Sequence, residues 1–334
     1  MIDWTYVLPL LFMAVMGLAL LTYVVLDGYD LGVGMLLPFA TAAEKDAMVA
    51  SIGPFWDANE TWLVLGIGVL LVAFPKAHGL VLQALYLPVA VMLMGLTLRG
   101  VAFDFRVKAR AVHKGFWNAV FALGSLLASM AQGWMLGAYL GGFGRDTLSL
   151  LFAAGIALTL PTAYTMLGAG WLIMKVEGEL QHKAVRWGLR AFWPMALALG
   201  AISLATPVVS QTVAHKWFAL PQLFALLPIP LACVVALFAA RHVLRRPLLV
   251  QAGHGWVVFA ATVLVFVLAF FGLAYSLYPY IVLDRLNVWE AASATESLLV
   301  VLAGVAVTLP AIVVYTVFMY RVFWGKAREL TYGL

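Results

Sequence analysis

Charge is what this chain has least of. Only 10% of its 334 residues are Asp, Glu, Lys or Arg, while 65% are hydrophobic and the mean hydropathy is +1.01. A water-soluble domain needs polar surface to cover its core; this composition cannot supply it, so lipid is the expected solvent. Cysteine is nearly absent too: Cys233 stands alone inside an apolar run, which excludes an intrachain disulfide and is silent on redox compartment. No Ser/Gly-rich or Pro-rich linker divides the chain and no internal repeat is visible, so residues 1–334 read as a single transmembrane domain. The apolar runs lack the period-two alternation of barrel strands and are too long for them. The start, Met-Ile-Asp-Trp, has no basic stretch, and no small-residue cleavage motif follows the first apolar run, so a retained first helix is expected.

What is present is a series of long apolar segments. A bilayer core about 30 Å thick takes roughly 20 helical residues to cross. Nine segments qualify: about 5–26, 59–76, 79–103, 116–141, 148–174, 187–209, 219–240, 255–277 and 297–320. The class is therefore all-α, a polytopic membrane protein. The net charge of +5 does not point to nucleic acid, because the basic residues neither cluster in one domain nor alternate with exposed aromatics. They sort by membrane side instead. With the amino terminus outside, Lys45; Arg99, Arg106, Lys108, Arg110 and Lys114; Lys175, Lys183, Arg186 and Arg190; Arg241, Arg245 and Arg246; and Arg321, Lys326 and Arg328 all fall inside, sixteen of the twenty. Lys76, Arg145, Lys216 and Arg285 fall outside. The bias of cytoplasmic loops toward Lys and Arg then sets the amino terminus out and the carboxyl terminus in, and an even number of spans would break the pattern.

Histidine is missing from the middle of every span. His113, His182, His242 and His254 lie at the inner ends, His78 and His215 at the outer. A haem held between helices needs an axial His, Met or Cys, and no facing pair of buried histidines is available, so the chain is expected to ligate no haem. Met92, Met94, Met130, Met135 and Met166 leave a Met ligand formally open, although packing is the commoner use of Met. Trp56, Trp62, Trp117, Trp171, Trp187 and Trp193 sit near span ends, where aromatic belts are expected. Gln132, within the fourth span, reads as an interhelical packing residue, with a hydrated path as the alternative.

Ionisable groups at membrane depth are costly and tend to mark ion or proton routes. The first span ends in LDGYDLGVG (26–34), the second begins in SIGPFWDANETWL (51–63) and the third ends in LRGVAFDFR (98–106). With the orientation above, Asp27, Asp30, Asp57, Glu60 and Asp104 gather at the inner face with Arg99 and Arg106. Arg99 and Asp104, five apart, point in different directions on a helix, so Arg99 is expected to pair with an acid from another helix. Simpler readings compete. Asp57 and Glu60 form a D-x-x-E capping pattern, and Asp104 with Lys108 forms an ordinary i,i+4 pair. The glycines of LDGYDLGVG most simply end the helix and allow close packing. Asp27 and Asp30, if still helical, share a face and repel. GVG there is no dinucleotide fingerprint, since strand and helix context are missing.

These three segments, with AFP at 73–75 and LYLPVAVMLMGLTLRGVAFDFR at 85–106, resemble the second subunit of cytochrome bd quinol oxidases, including the branch often called cyanide-insensitive. The match covers about the first third of the chain; beyond it the likeness is of length, span number and character. The resemblance implies two four-helix bundles plus one further helix. It also implies a heterodimer whose related first subunit carries the haems, b and d, and the quinol-oxidising loop, often with a very small single-helix accessory subunit. At the level of the complex, quinol and dioxygen are the substrates, in a bacterial cytoplasmic membrane. The second subunit of that family is assigned a proton-conducting role, and Asp57 and Asp104 occupy the corresponding motif positions. Some members also hold a structural quinone, for which Trp56 is the candidate contact here. Two other functions fit the acids: a proton-coupled secondary transporter, which should show broken helices near mid-bilayer and inverted halves, and a purely structural scaffold of the oxidase.

Overall fold

The computed structural model describes residues 3–327, so Arg328 of the basic set lies outside the described residues. The chain folds as the helices α1 (Trp4–Leu36), α2 (Ala42–Ile52), α3 (Trp56–Ala73), α4 (Pro75–Lys108), α5 (Ala111–Leu140), α6 (Thr147–Lys175) and α7 (Gly178–Val209). These are followed by α8 (Gln211–Phe218), α9 (Gln222–Leu226), α10 (Pro228–Leu244), the single turn α11 (Pro247–Leu249) and α12 (Trp256–Leu277). A two-stranded antiparallel hairpin, β1 (Tyr280–Val282) and β2 (Leu286–Asn287), leads to α13 (Val288–Ala291) and α14 (Thr295–Val322). Among the described residues nine segments are long and apolar enough to cross a membrane, α9 and α10 together making the seventh.

The spans form two rings. Helices α1, α3, α4 and α5 pack around one another, as do α6, α7, α10 and α12, while α14 lies against α1 and α3. This is the expected arrangement of two four-helix bundles plus one helix. In lipid the apolar side chains gain little by meeting each other, so close approach of backbones does the joining. Gly32 of α1 crosses α6 at Tyr164 and Gly168, and Gly133 and Gly137 of α5 cross α6 at Ile156 and Ala153. A Cβ at Gly32 would stand 1.9 Å from the Tyr164 carbonyl oxygen, a backbone atom that cannot step aside. Gly32→Ala is therefore expected to cost about 1–3 kcal/mol by overpacking, read as a lower Tm of the purified protein. Gly155→Ala, on an open face of α6, should leave Tm unchanged, and equal effects at the two positions would contradict this account of the bundle seam.

Several boundaries differ from those expected. The glycines of LDGYDLGVG do not end the first helix: α1 runs on to Leu36, and the segment is buried among α5 and α6. Tertiary packing against Tyr164 and Ser125 overrides the local tendency of glycine to terminate. The Asp57/Glu60 capping box does not form either. The α3 N-cap is Phe55, without a side-chain bond, and Asp57 sits in the first turn. Trp171 is no interfacial belt residue; it is buried, stacks on Tyr29 at 4.1 Å and donates to the Ser51 carbonyl at 3.2 Å.

Helix α2, between α1 and α3, docks by charge. Arg106 of α4 meets Asp46 at 2.8 Å and donates through Nε to Asn118 at 2.5 Å, while Lys183 of α7 reaches Glu44 at 2.7 Å. Burial alone would push the Glu44 carboxyl up, but the bonds from Lys183 and from the Thr41 N–H and hydroxyl outweigh it and hold that carboxyl below its ordinary range.

Candidate functional site

At 33 and 34 residues, α1 and α4 are each about 50 Å long at 1.5 Å per residue, well over the thickness of a bilayer core. Asp27 and Arg99 each lie nine residues before the end of their helix, at Leu36 and Lys108, so both are held inside the bundle below that end. There Arg99 Nη1 stands 2.5 Å from Asp27 Oδ1, and Arg99 Nη2 donates to Glu60 of α3. One guanidinium thus ties three helices together. Asp27 and Arg99 are each 1% exposed and Glu60 is 28% exposed, so the cluster opens outward only at Glu60.

Asp30 lies one turn nearer the helix end and is fully buried. Asn59 Nδ2 donates to its Oδ2 at 2.8 Å and to the Tyr29 hydroxyl at 2.9 Å. Tyr320 of α14 donates to Asn59 Oδ1 at 3.2 Å, and its hydroxyl lies 2.6 Å from that of Tyr29. On the other side, Tyr23 precedes Asp27 by one turn on the same face of α1. Gln132 Nε2 donates to the Tyr23 hydroxyl at 2.8 Å, and the Tyr164 hydroxyl donates to Gln132 Oε1 at 2.6 Å. A polar line therefore extends from the ion cluster into the seam between the two bundles.

Among the described residues, the buried side-chain polar atoms that lack a hydrogen-bond partner are Asp27 Oδ1 and Oδ2, Asp30 Oδ1, Arg99 Nε and Nη1, Trp62 Nε1 and Thr316 Oγ1. All belong to α1, α3, α4 and α14. Asp27 and Arg99 are close enough to attract but not aligned to hydrogen-bond. Leaving such groups without partners costs of the order of 1–3 kcal/mol each, so proteins retain them where water or function uses them. Three carboxylates facing one guanidinium would leave a formal charge of −2 if all were ionised, and a buried site of low polarity resists that.

Of the residues singled out in the sequence, Asp27, Asp30, Glu60 and Arg99 come together. Asp57 and Asp104 do not join them: both are exposed. They share the end of the molecule, since half-buried Trp56 packs on Phe103 with ring centroids 5.1 Å apart. The sequence reading missed Tyr23, Tyr29, Asn59, Tyr164 and Tyr320, and favoured packing over a hydrated path for Gln132. Asn59 adjoins Glu60, and Tyr23 falls one turn from Asp27, but no local pattern could announce a partner on α6 or α14. Among the described residues no group of three or more His, Cys, Asp or Glu side chains is placed to hold a metal ion.

The fold and site define a multi-pass helical membrane protein with an ion cluster buried in its first bundle. Residues 8–323 match the family model for cytochrome bd terminal oxidase subunit II, and the chain belongs to that family. It is 26% identical over 385 aligned positions to cytochrome bd-I ubiquinol oxidase subunit 2 of Escherichia coli K12, covering 98% of this chain and 97% of that one. It is 40% identical over 111 residues to cytochrome bd ubiquinol oxidase subunit 2 of Bacillus subtilis, a match spanning 32% of this chain and 33% of that protein. The fold is shared with a chain of the bd oxidase from Geobacillus thermodenitrificans, at TM-score 0.75 and 18% identity over 95% of this chain and 99% of that one. The protein is thus one subunit of a cytochrome bd oxidase, an oxidoreductase complex that also contains a subunit I. Family membership displaces the transporter reading.

Proposed function

We propose that this chain braces the haem-bearing subunit I in a bacterial cytoplasmic membrane and admits protons from the cytoplasm toward it for the reduction of dioxygen to water. The observation that carries the reading is the buried cluster of Asp27, Asp30, Glu60 and Arg99, with its continuation through Tyr23, Gln132 and Tyr164. The basic-residue bias puts the amino terminus outside and the carboxyl terminus in the cytoplasm, so the cluster opens to the cytosolic side.

A proton arriving at this end first meets the exposed carboxylates Asp57 and Asp104. Glu60, one turn beyond Asp57 on α3 and partly exposed, hands it inward to the Asp27/Arg99 pair. Arg99 offsets the charge of the carboxylates and lets them exchange protons without leaving a bare anion in the bundle. The unpartnered oxygens of Asp27 and Asp30 are the atoms at which water would complete the line. Haems b and d, held by subunit I through its own ligands, supply the electron transfer and oxygen chemistry that consume these protons. Quinol is the electron donor of the complex. Where a structural quinone is bound in this subunit, Trp56 beside the mouth offers ring contact. A small single-helix accessory subunit and membrane lipid complete the proposed surroundings.

The rival is a scaffold, in which the same residues serve only to pair and to pack. Gln132→Leu separates the two, because it keeps side-chain bulk while removing both hydrogen bonds. In the purified whole oxidase it is expected to slow quinol-driven oxygen uptake by about tenfold, with the haem absorbance spectrum and subunit ratio unchanged. Wild-type turnover in a fully assembled Gln132→Leu complex would favour the scaffold.

A further inference from the structure

Helices α7 and α10 run antiparallel, in a register fixed by Gly188, where an added Cβ would stand 3.1 Å from the Leu244 side chain. Along α7, Arg186, Arg190, Trp193 and Leu197 recur at helical spacing on one stripe, and all four are exposed. Along α10 and its C-cap residue, Arg245, Arg241, Phe238 and Val234 make a second stripe, in which only Arg241 is partly covered. The two stripes meet at Arg241, whose guanidinium lies 4.6 Å from the Trp193 ring centroid and 5.0 Å from that of Phe192. Each stripe is cationic at the end shared with the ion cluster and apolar beyond it. Among the described residues no carboxylate lies within ion-pair distance of Arg186, Arg190, Arg241 or Arg245.

From this we infer a binding site for one anionic phospholipid: its phosphodiester headgroup held by Arg190, Arg241 and Arg245, its acyl chains along Leu197, Phe238 and Val234. Guanidinium groups suit phosphate because their planar fork donates two parallel hydrogen bonds. Trp193 and Phe192 hold Arg241 by its face and leave its edge free to donate, so less freedom is lost when an anion binds. A soluble acidic partner would answer the arginines but leave the apolar half of both stripes uncovered. A zwitterionic lipid would cover the apolar half but bring no net charge to the arginines. Only an anionic lipid answers both.

The test uses the whole purified oxidase in mild detergent, with native mass spectrometry during titration by phosphatidylglycerol or phosphatidylcholine of identical acyl chains. Wild-type complex is expected to retain phosphatidylglycerol and to shed phosphatidylcholine. A juxtamembrane arginine is worth about 1 kcal/mol toward an anionic lipid, so Arg190→Gln/Arg241→Gln should weaken phosphatidylglycerol binding by about thirtyfold. Arg110→Gln, at the start of α5, should not change it. Equal retention of the two lipids by wild type overturns the proposal, whether or not the double variant assembles. So does undiminished phosphatidylglycerol binding in that variant, or another polypeptide found covering Trp193 and Arg241.

Discussion

Arg99→Gln is expected to lower the stability of the first bundle by about 3–5 kcal/mol, the usual cost of removing one partner from a buried ion pair. Arg99 is 1% exposed and is the one cation within ion-pair distance of both Asp27 and Glu60 among the described residues. Without it, two carboxylates on different helices are left in a low-dielectric seam, where desolvation and mutual repulsion act together. The result should appear as poor yield of assembled oxidase and a much lower Tm. Arg99→Lys should recover little, since one ammonium cannot span the positions reached by Nη1 and Nη2. Arg99→Gln combined with Asp27→Asn and Glu60→Gln should recover most of the loss, because removing every partner leaves no stranded charge. A stable, fully assembled Arg99→Gln single variant would contradict the pairing.

The second large effect concerns turnover. Asp27→Asn preserves shape and hydrogen-bonding capacity but cannot take up or release a proton. In assembled oxidase it is expected to reduce quinol-driven oxygen consumption by about two orders of magnitude, the lower end of what a positioned acid or base contributes. Asp27→Glu, which keeps the titrating group, should retain a good part of the rate. Asp57→Asn and Asp104→Asn should cost only a small factor, since exposed carboxylates at a wet mouth are replaceable by water. Haem content in all four variants should match wild type. Identical rates across Asp27→Asn, Asp57→Asn and wild type would remove the case for a proton route and leave a scaffold.

The architecture was readable because hydrophobic length and the sidedness of Lys and Arg are properties of the sequence itself, independent of contacts. The nine spans and the gathering of early carboxylates at one end followed from it, while the two bundles came from the family resemblance alone. Where the reading went astray, tertiary packing had decided. The glycines between Asp27 and Gly34 look like a helix stop, yet α1 continues because α6 approaches closely enough to need Gly32 and Gly168. That continuation carries Asp27 and Asp30 inward instead of to a surface loop. Asp57 and Asp104, the positions that stood out by motif, remain exposed at the end of the bundle. The bonds of Gln132 to Tyr23 and Tyr164 join residues 109 and 32 positions away, and no local pattern announces such pairs.

The central claim is tested most directly by time-resolved proton uptake. Fully reduced oxidase in liposomes is mixed with dioxygen while a pH dye reports the compartment facing the Glu60 end. Wild type should take up protons there in step with oxygen reduction, and Asp27→Asn should show that uptake abolished or slowed by about a hundredfold. Uptake on that side by Asp27→Asn at the wild-type rate would contradict the account.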